Sequence, residues 1–433
     1  MSQPPITPST PSPHPVATLI PGQDGLQLEA VTLEAIAERF GTPTYVYSLA
    51  ALTQAYNAYR DALNGIDAQV HYAVKANSNL GILSAFARLG AGFDIVSGGE
   101  LARVIAAGGD PRKVVFSGVG KTEQEIRAAL EAGIQCFNIE SEAELDRLSQ
   151  LAATLNVRAP VAFRVNPDVD ARTHPYISTG LRNNKFGVAF DEALRLYRRA
   201  AANPHLAVVG IACHIGSQLL DPAPMAEATA RIVGLVDTLR NDEGIALEHI
   251  DLGGGLGIRY KDEQPPTVAA YLAPLLQQLE GRRERICFEP GRSLIGNAGL
   301  LLTRIEYLKP GAEKNFAVVD AAMNDLARPA LYDAWHDVVE VRPREVAPTA
   351  YEVVGPVCES GDFLARERTL RVAPGDLLAI LSAGAYGMTM SSNYNSRPRA
   401  AEVIVNGNQM HLIRERESVN SLFALESTLP DAD

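Results

Sequence analysis

The chain has 433 residues, of which 46% are hydrophobic and 21% are charged, which is ordinary for a folded globular protein. Its length favours two domains over one. A net charge of −12 at pH 7 argues against non-specific binding to nucleic acid or to anionic membranes, so neither is an expected partner.

The four cysteines lie far apart and form no C-x-x-C motif, which fits a reducing cytoplasm better than a disulfide framework. The histidines show no metal-ligand spacing, so we expect no metal. No apolar run reaches 18 residues, so no membrane span is expected. The cysteines are Cys136, Cys213, Cys287 and Cys358.

The N-terminal part of the chain divides into two segments. Residues 1–17 are rich in Pro, Ser and Thr and predict a disordered tail. Residues 18–48 precede the first long alternation of strands and helices. We expect them to contribute a strand or a helix to a second domain.

Residues 49–295 alternate short apolar runs with amphipathic helical patterns, such as 121–132, 141–155, 191–202 and 225–241. Continuous apolar runs separated by helices indicate a parallel sheet that is covered on both faces. Eight such runs place the chain in the α/β class and favour a (β/α)8 TIM-like barrel over an open doubly wound sheet. The runs are 70–76, 93–97, 114–118, 135–140, 161–166, 208–216, 249–255 and 286–291.

Two other regions differ from this alternation. Residues 167–187 contain Gly, Pro and Asn and predict an active-site loop or hairpin. Residues 296–433 carry short β-branched runs separated by turn residues, which predict an antiparallel β C-terminal domain.

Lys75 ends the first apolar run of the predicted barrel. A lysine on a buried strand is costly to charge, and desolvation would make its amine a better nucleophile towards a carbonyl. The alternative is a lysine at the end of a strand whose ammonium group reaches solvent. Both interpretations are open on this segment alone.

Polar residues also follow the later runs, where the carboxyl ends of barrel strands meet. Each has a structural alternative: Arg164 could pair with a carboxylate, His214 could be a core histidine, and Glu289 with Arg292 could form a local salt bridge. The glycines at 253–255 and 257 follow an apolar run and suit a phosphate. Position 258 is isoleucine, so the dinucleotide motif G-x-G-x-x-G fails.

A lysine, a phosphate cradle, an acidic residue and a histidine together suggest pyridoxal 5′-phosphate as the cofactor. Five segments then resemble the alanine-racemase-like, fold-type III pyridoxal-phosphate decarboxylases and, among them, the diaminopimelate decarboxylase family. The segments are 71–77, 92–100, 213–217, 253–257 and 289–292.

The resemblance implies a role for each candidate residue. Lys75 would hold the cofactor, His214 would stack on its ring, and Glu289 would pair with the ring nitrogen. Cys358 would donate a proton to the substrate from the neighbouring subunit, which implies a homodimer with shared active sites. The phosphate would be surrounded by Ser217, Gly254, Gly255, Gly291, Arg292 and Tyr386, and the site oriented by Asp94, Glu100 and Arg164.

The same resemblance implies decarboxylation of meso-2,6-diaminoheptanedioate to L-lysine and CO2, the last step of that lysine route. This substrate carries a second carboxylate, which an arginine would bind. The substrate residues would be Arg292, Arg328, Tyr332, Glu359 and Tyr386. Two alternatives stay open: a decarboxylase of a basic amino acid or carboxynorspermidine, and a non-catalytic homologue of this fold.

Overall fold

A computed structural model of the protein describes residues 14–170 and 185–430. The chain forms two compact units. The barrel unit comprises Thr53–Ile258 and Glu263–Leu294, and the sheet unit comprises the described residues of Met1–Leu52, Arg259–Asp262 and Ile295–Asp433. Of the segment predicted as a disordered tail, residues 1–13 lie outside the described residues, whereas Val16 is buried in the core of the sheet unit.

The chain from residue 19 to 62 forms a small antiparallel sheet of β1–β3, then two helices that flank one strand. Thr32 caps the first helix with its hydroxyl, and the helix buries Leu33 and Ile36. The elements are β1 (Leu19–Gly22), β2 (Gly25–Leu28), β3 (Val31–Thr32), α1 (Leu33–Phe40), β4 (Thr44–Ser48) and α2 (Leu49–Ala62).

The barrel unit contains eight parallel strands that close on themselves. Their order is β5-β6-β7-β8-β9-β11-β12-β13, and β13 pairs with β5. The predicted (β/α)8 barrel is therefore confirmed. The strands are β5 (Ala68–Ala73), β6 (Gly92–Ile95), β7 (Val114–Phe116), β8 (Cys136–Ile139), β9 (Ala159–Asn166), β11 (Leu206–Ala212), β12 (His249–Asp251) and β13 (Arg285–Phe288), with the two-residue β10 (Val188–Ala189) beside β9.

Helices alternate with these strands, and their starts follow from local sequence. Thr122 and Glu125 form a capping box at one helix, while Asn79, Ser97 and Ser141 cap three others. The helices are α3 (Leu80–Arg88), α4 (Gly98–Ala106), α5 (Glu123–Ala132), α6 (Glu142–Thr154), α7 (Phe190–Ala201), α8 (Ala223–Asn241), α9 (Val268–Gln278) and α10 (Arg292–Ile295).

The sheet unit is built on a mixed sheet with the path β18-β17-β15-β14-β4-β20-β21; off this path, β19 pairs with β14 and β16 pairs with β19. Most pairs are antiparallel, as predicted, but β15–β17 and β4–β20 are parallel. The elements are β14 (Gly299–Lys309), β15 (Asn315–Val319), α11 (Arg328–Tyr332), β16 (Val338–Glu340), β17 (Thr349–Val354), β18 (Phe363–Leu370), β19 (Leu377–Ile380), β20 (Ala401–Asn406) and β21 (Gln409–Arg414).

One strand links the N-terminal segment to this sheet. Strand β4 pairs antiparallel with β14 and parallel with β20, so residues 44–48 lie in the interior of the sheet. All five residues of β4 are buried. Within the described residues, no helix combines the length and apolarity needed to cross a membrane. The predicted loop at 167–187 falls largely on residues 171–184, which lie outside the described residues.

Candidate active site

Lys75 lies just beyond the end of β5, in a short 3-10 turn at Val74–Ala76. Its Nζ is 2.6 Å from Oδ2 of Asp94, and the strand register places Ala73 beside Asp94. The Lys75 side chain is 40% exposed, whereas Asp94 is fully buried. Lys75 therefore has solvent access, and a buried carboxylate fixes the position of its ammonium group at the carboxyl end of the barrel.

Glu289 follows β13 and is held in the barrel interior. Its backbone N–H donates to the carbonyl of Gly253 at 2.7 Å, and Asn138 Nδ2 lies 3.5 Å from Oε1. Burial, and then the nearby charge of Asp251, raise the pKa of Glu289 well above its ordinary value. Glu289 therefore favours the protonated form and suits pairing with a ring nitrogen.

His214 lies against the glycine loop. The Gly254 N–H donates to His214 Nδ1 at 3.4 Å, so Nδ1 is the acceptor and Nε2 carries the proton of the neutral ring. Burial lowers the pKa of His214 well below its ordinary value, and the charges of Arg164 and Lys75 lower it further. His214 is consequently a neutral ring at pH 7.

The loop at 253–255 requires glycine because the backbone is packed too closely for a side chain. Gly253 has φ +67°, and a Cβ there would lie 2.6 Å from the carbonyl oxygen of Cys213. A Cβ at Gly254 would lie 2.4 Å from the carbonyl oxygen of Glu289. Gly255, at φ +116°, also lies in the region that favours glycine.

Ser217 and Arg292 are hydrogen-bonded to each other in the barrel unit. Arg292 Nε donates to Ser217 Oγ at 3.1 Å, and Arg292 is almost completely buried. Gly291 precedes it, where a Cβ would lie 3.1 Å from the methyl groups of Ala73 and Ala76. A guanidinium, a hydroxyl and an open glycine backbone are donors suited to an anionic phosphate.

Arg164 at the end of β9 is held by a carboxylate that the sequence analysis did not single out. Its Nη1 lies 3.1 Å from Glu140 Oε1. Glu140 also accepts the backbone N–H groups of Gly118 at 2.7 Å and Gly187 at 2.9 Å. The carboxylate thus joins three loops at the carboxyl end of the barrel and fixes Arg164 among them.

A buried ion pair between Lys121 and Glu144 supports the backbone of Glu140. Lys121 Nζ donates to Glu144 Oε1 at 2.6 Å, to the Gly118 carbonyl at 2.8 Å and to the Asn138 carbonyl at 2.9 Å. Glu144 Oε2 in turn accepts the Glu140 N–H at 3.0 Å. These contacts satisfy all three ammonium donors and hold the backbone of Glu140 in place.

Glu100 lies in the first turn of α4, which Ser97 caps. Its Oε2 accepts the backbone N–H of Val96 at 2.7 Å. Burial raises the pKa of Glu100 to about 7, and the Val96 N–H opposes that rise. Glu100 therefore changes charge near neutral pH.

The remaining predicted residues belong to the sheet unit. Arg328 is buried, with Nη1 3.1 Å from His336 Nε2 and its guanidinium carbon 4.7 Å from the centre of the Tyr260 ring. His336 Nδ1 lies 2.8 Å from the Leu381 carbonyl, so Nδ1 is the donor and Nε2 accepts from the arginine. Arg328 is thus held in one orientation.

Cys358 and Glu359 are exposed on a loop after β17, whereas Tyr332 and Tyr386 are partly buried. The Cys358 N–H donates to Asn395 Oδ1 at 2.8 Å. Asp362 closes the loop by accepting the Val357 N–H at 2.8 Å and the Met323 N–H at 2.7 Å. The backbone of the cysteine loop is therefore fixed, and its thiol faces solvent.

The barrel unit has the donors and acceptors that pyridoxal 5′-phosphate needs. Lys75 provides an amine with solvent access, and Glu289 provides a partly buried carboxyl group for the ring nitrogen. Oδ1 of Asp94 is buried and has no hydrogen-bond partner among the described residues. This oxygen is therefore available to accept a hydrogen bond beside Lys75. The glycine backbone, Ser217 and Arg292 suit a phosphate, so the residues fit the cofactor.

Comparison with known proteins gives the same result. The family model "Pyridoxal-dependent decarboxylase, pyridoxal binding domain" matches residues 49–296. The chain is 62% identical to diaminopimelate decarboxylase of Pseudomonas aeruginosa over 402 residues, covering 93% of this chain and 97% of that protein. The chain belongs to the diaminopimelate decarboxylase family.

Other members of this family support the assignment. The chain is 56% identical to diaminopimelate decarboxylase of Vibrio cholerae over 411 residues, covering 94% of this chain and 98% of that protein. A crystal structure of diaminopimelate decarboxylase from Helicobacter pylori with L-lysine matches with a TM-score of 0.88 at 42% identity, over 91% of this chain and 98% of that one. The chain is accordingly a decarboxylase whose cofactor is pyridoxal 5′-phosphate.

Three residues near the predicted ones were missed by sequence reasoning. Asp251 lies within an apolar run and resembles a strand residue, although its position two residues before the glycine loop was a usable signal. Glu140 ends its run in the same way as Lys75 and could have been found on that ground. His336 carried no local signal, because its contact with Arg328 forms only in the folded sheet unit.

Proposed function

We propose that this protein decarboxylates meso-2,6-diaminoheptanedioate to L-lysine and CO2, the last step of that lysine route, with the residues described above in separate roles. The observation that carries the proposal is the ion pair of Lys75 with the fully buried Asp94 at the carboxyl end of the barrel. An amine fixed in this position, with solvent access, can exchange with the amine of an incoming amino acid.

Lys75 would hold pyridoxal 5′-phosphate, with Ser217, Gly254, Gly255, Gly291, Arg292 and Tyr386 around the phosphate and Glu289 at the ring nitrogen. The cofactor supplies an aldehyde that condenses with an amine and a protonated ring that accepts the electron pair of the broken Cα–carboxylate bond. His214 would stack on its ring as a neutral imidazole. Arg164, held by Glu140, and Glu100 orient these groups.

Proton movement is assigned to three groups of this chain. Asp94 stabilises the ammonium form of Lys75 and accepts its hydrogen bond while the amine gains or loses a proton. Burial, and then the nearby charge of Asp251, raise the pKa of Glu289, so Glu289 can share a proton with a basic ring nitrogen. Cys358 provides the thiol that protonates Cα after CO2 leaves.

Substrate selection rests on a buried arginine. Arg328 is held by His336 and by the face of Tyr260, so its guanidinium does not need to be ordered on binding. A guanidinium binds a carboxylate through two parallel N–H donors, which suits the distal carboxylate of diaminoheptanedioate. The substrate precursors of simple diamines carry a cation at that end, which Arg328 would repel.

Other contacts to the substrate come from residues around these groups. Arg292 supplies a second guanidinium, Glu359 receives the distal ammonium, and Tyr332 and Tyr386 line the substrate. The exposed position of Cys358 and Glu359 on one loop supports their delivery to a second copy of the chain, as a homodimer with shared active sites requires. A cytoplasmic location stays a prediction.

The test is release of CO2 and lysine from the cofactor-loaded protein given meso-diaminoheptanedioate beside ornithine, lysine and arginine. Turnover of the first substrate alone is expected. Arg328→Ala is expected to weaken use of this substrate selectively, and Cys358→Ala to reduce turnover far more than cofactor binding. Turnover of a cationic amino acid by the native chain would overturn the substrate assignment.

A matched comparison separates the role of the arginine from a loss of folding. Arg342→Ala removes an exposed arginine of the sheet unit that pairs with Glu34 at 3.0 Å. It is expected to leave turnover unchanged. Equal loss of activity in both variants would show that substitution damages the unit and does not test substrate binding.

A further inference from the structure

Asp251 is a buried carboxyl group of the barrel unit that neither the motifs nor the proposed reaction uses. It ends β12 and is fully buried. Its Oδ1 accepts the Gly253 N–H at 2.8 Å, which orients the side chain and ties it to the glycine loop. Its Oδ2 is buried and receives no N–H or hydroxyl donor from the described residues.

Asp251 and Glu289 are neighbours at the carboxyl ends of β12 and β13. The two carboxyl groups lie within hydrogen-bonding reach of each other, and the backbone bond from Glu289 N–H to the Gly253 carbonyl keeps their loops together. Two carboxylates cannot both be ionised at such proximity in a buried site without a large repulsion. A single proton between them removes the repulsion and satisfies Oδ2 of Asp251.

The surroundings of the pair favour one retained proton. Asp94 and Lys75 are the nearby charged groups, and their opposite charges act in opposite directions on the pair. Three thiols also lie near the pair, and burial raises their pKa values so that they stay neutral. These thiols belong to Cys136, Cys213 and Cys287.

We propose that Asp251 is a positioning residue that shares one proton with Glu289, so that the two carboxyl groups together carry a single negative charge. The pair can present either an O–H donor or a carboxylate oxygen at Glu289 by moving that proton between two oxygens. Its net charge does not change in doing so. The placement of Glu289 opposite the ring nitrogen rests on the proposed function, whereas the shared proton does not.

Infrared spectroscopy tests the pair without any turnover, because protonated carboxyl groups absorb apart from carboxylates and shift in D2O. The samples are the full chain without cofactor at pH 7 as native protein, D251N, E289Q and the double variant. Asn at 251 keeps an oxygen for the Gly253 N–H and offers Glu289 an amide donor in place of a proton acceptor. E142Q is the control, since Glu142 is a partly exposed carboxylate that pairs with Arg195 at 2.8 Å.

Each single substitution is expected to remove the absorbance of one protonated carboxyl group, and the double variant is expected to remove no more than one. E142Q is expected to remove none. A D251N spectrum that keeps the full native intensity would overturn the proposal, because Glu289 would then hold its proton without Asp251. Loss of two groups in the double variant would overturn it as well.

If D251N does not fold, the native chain with ¹³C-labelled carboxyl groups answers the same question by NMR. The Glu289 and Asp251 signals are expected to titrate together as a coupled pair, and independent titration would contradict the proposal. Neither measurement involves substrate. A result against the shared proton would therefore not contradict the proposed reaction. Absence of CO2 release would likewise not contradict the shared proton.

Discussion

Removal of the buried ammonium of Lys121 is expected to destabilise the barrel unit strongly. The Lys121 side chain is 1% exposed and that of Glu144 is 7% exposed, so the pair is buried. Lys121→Met keeps most of the side-chain volume but leaves the Glu144 carboxylate without its partner. It also leaves the carbonyls of Gly118 and Asn138 without their side-chain donor.

The magnitude follows from these contacts. Breaking a buried ion pair by removing one partner costs about 3–5 kcal/mol in the free energy of unfolding. In the double variant Lys121→Met, Glu144→Gln, the uncompensated charge is gone and the amide oxygen can still accept the Glu140 N–H. The remaining loss of neutral hydrogen bonds is about 1–3 kcal/mol.

Urea unfolding of the full chain, followed by circular dichroism, measures both variants against the native protein. The control is Arg60→Met, which removes an exposed cation that pairs with the exposed Asp61 and is expected to change stability by less than about 0.5 kcal/mol. The reasoning is refuted if the double variant is as unstable as Lys121→Met, because the cost would then not come from the unpaired carboxylate.

Three further outcomes are expected. Lys75→Ala should abolish the absorbance of lysine-bound cofactor, which a visible spectrum of the loaded protein measures. His336→Phe removes the acceptor of Arg328, so KM for diaminoheptanedioate should rise about tenfold while kcat changes little, as for a lost charge-assisted hydrogen bond. Glu100→Gln should become more stable than the native protein as pH rises from about 4.5 through 7, by at most about 3 kcal/mol in the free energy of unfolding. Urea unfolding of both cofactor-free proteins at a series of pH values measures this difference.

The sign of the Glu100 effect follows from linkage. A carboxyl group whose pKa is raised to about 7 by folding binds more protons in the folded state than in the unfolded state. Native stability from this group is therefore lost as pH rises through that range, and the glutamine variant escapes the loss. A difference between the two proteins that does not change with pH would contradict this account.

Matched variants keep the other two outcomes interpretable. Lys113→Ala removes a different barrel lysine, which is partly buried just before β7 and donates to the carbonyl of Gly90 in a long 3.5 Å bond, so the spectrum should not change. His336→Gln can restore an acceptor for Arg328 and should recover part of the lost affinity. A fall in kcat with unchanged KM in His336→Phe would show that Arg328 does not bind the substrate.

The eight barrel strands were predictable because each is buried on both faces and so forms a continuous apolar run. The strand Phe363–Leu370 was not predicted, since Arg366, Glu367 and Arg368 interrupt its apolar pattern. The sequence also did not predict which strands pair in the sheet unit. Thr44–Ser48 pairs with Gly299–Lys309, more than 250 residues away in the chain. Local pattern carries no information on such distant registers.

The sequence by itself was enough to predict the barrel and the cofactor, because apolar runs, glycine placement and the motifs that carry the family resemblance are all contained in short segments of the chain. Only the tertiary structure decided which groups are charged and which are held in place. Burial and neighbouring groups raise the pKa of Glu289, lower the pKa of His214 and fix Arg328 through His336. Electrostatic free energies depend on distances and on exclusion of water, and both exist only once the chain is folded.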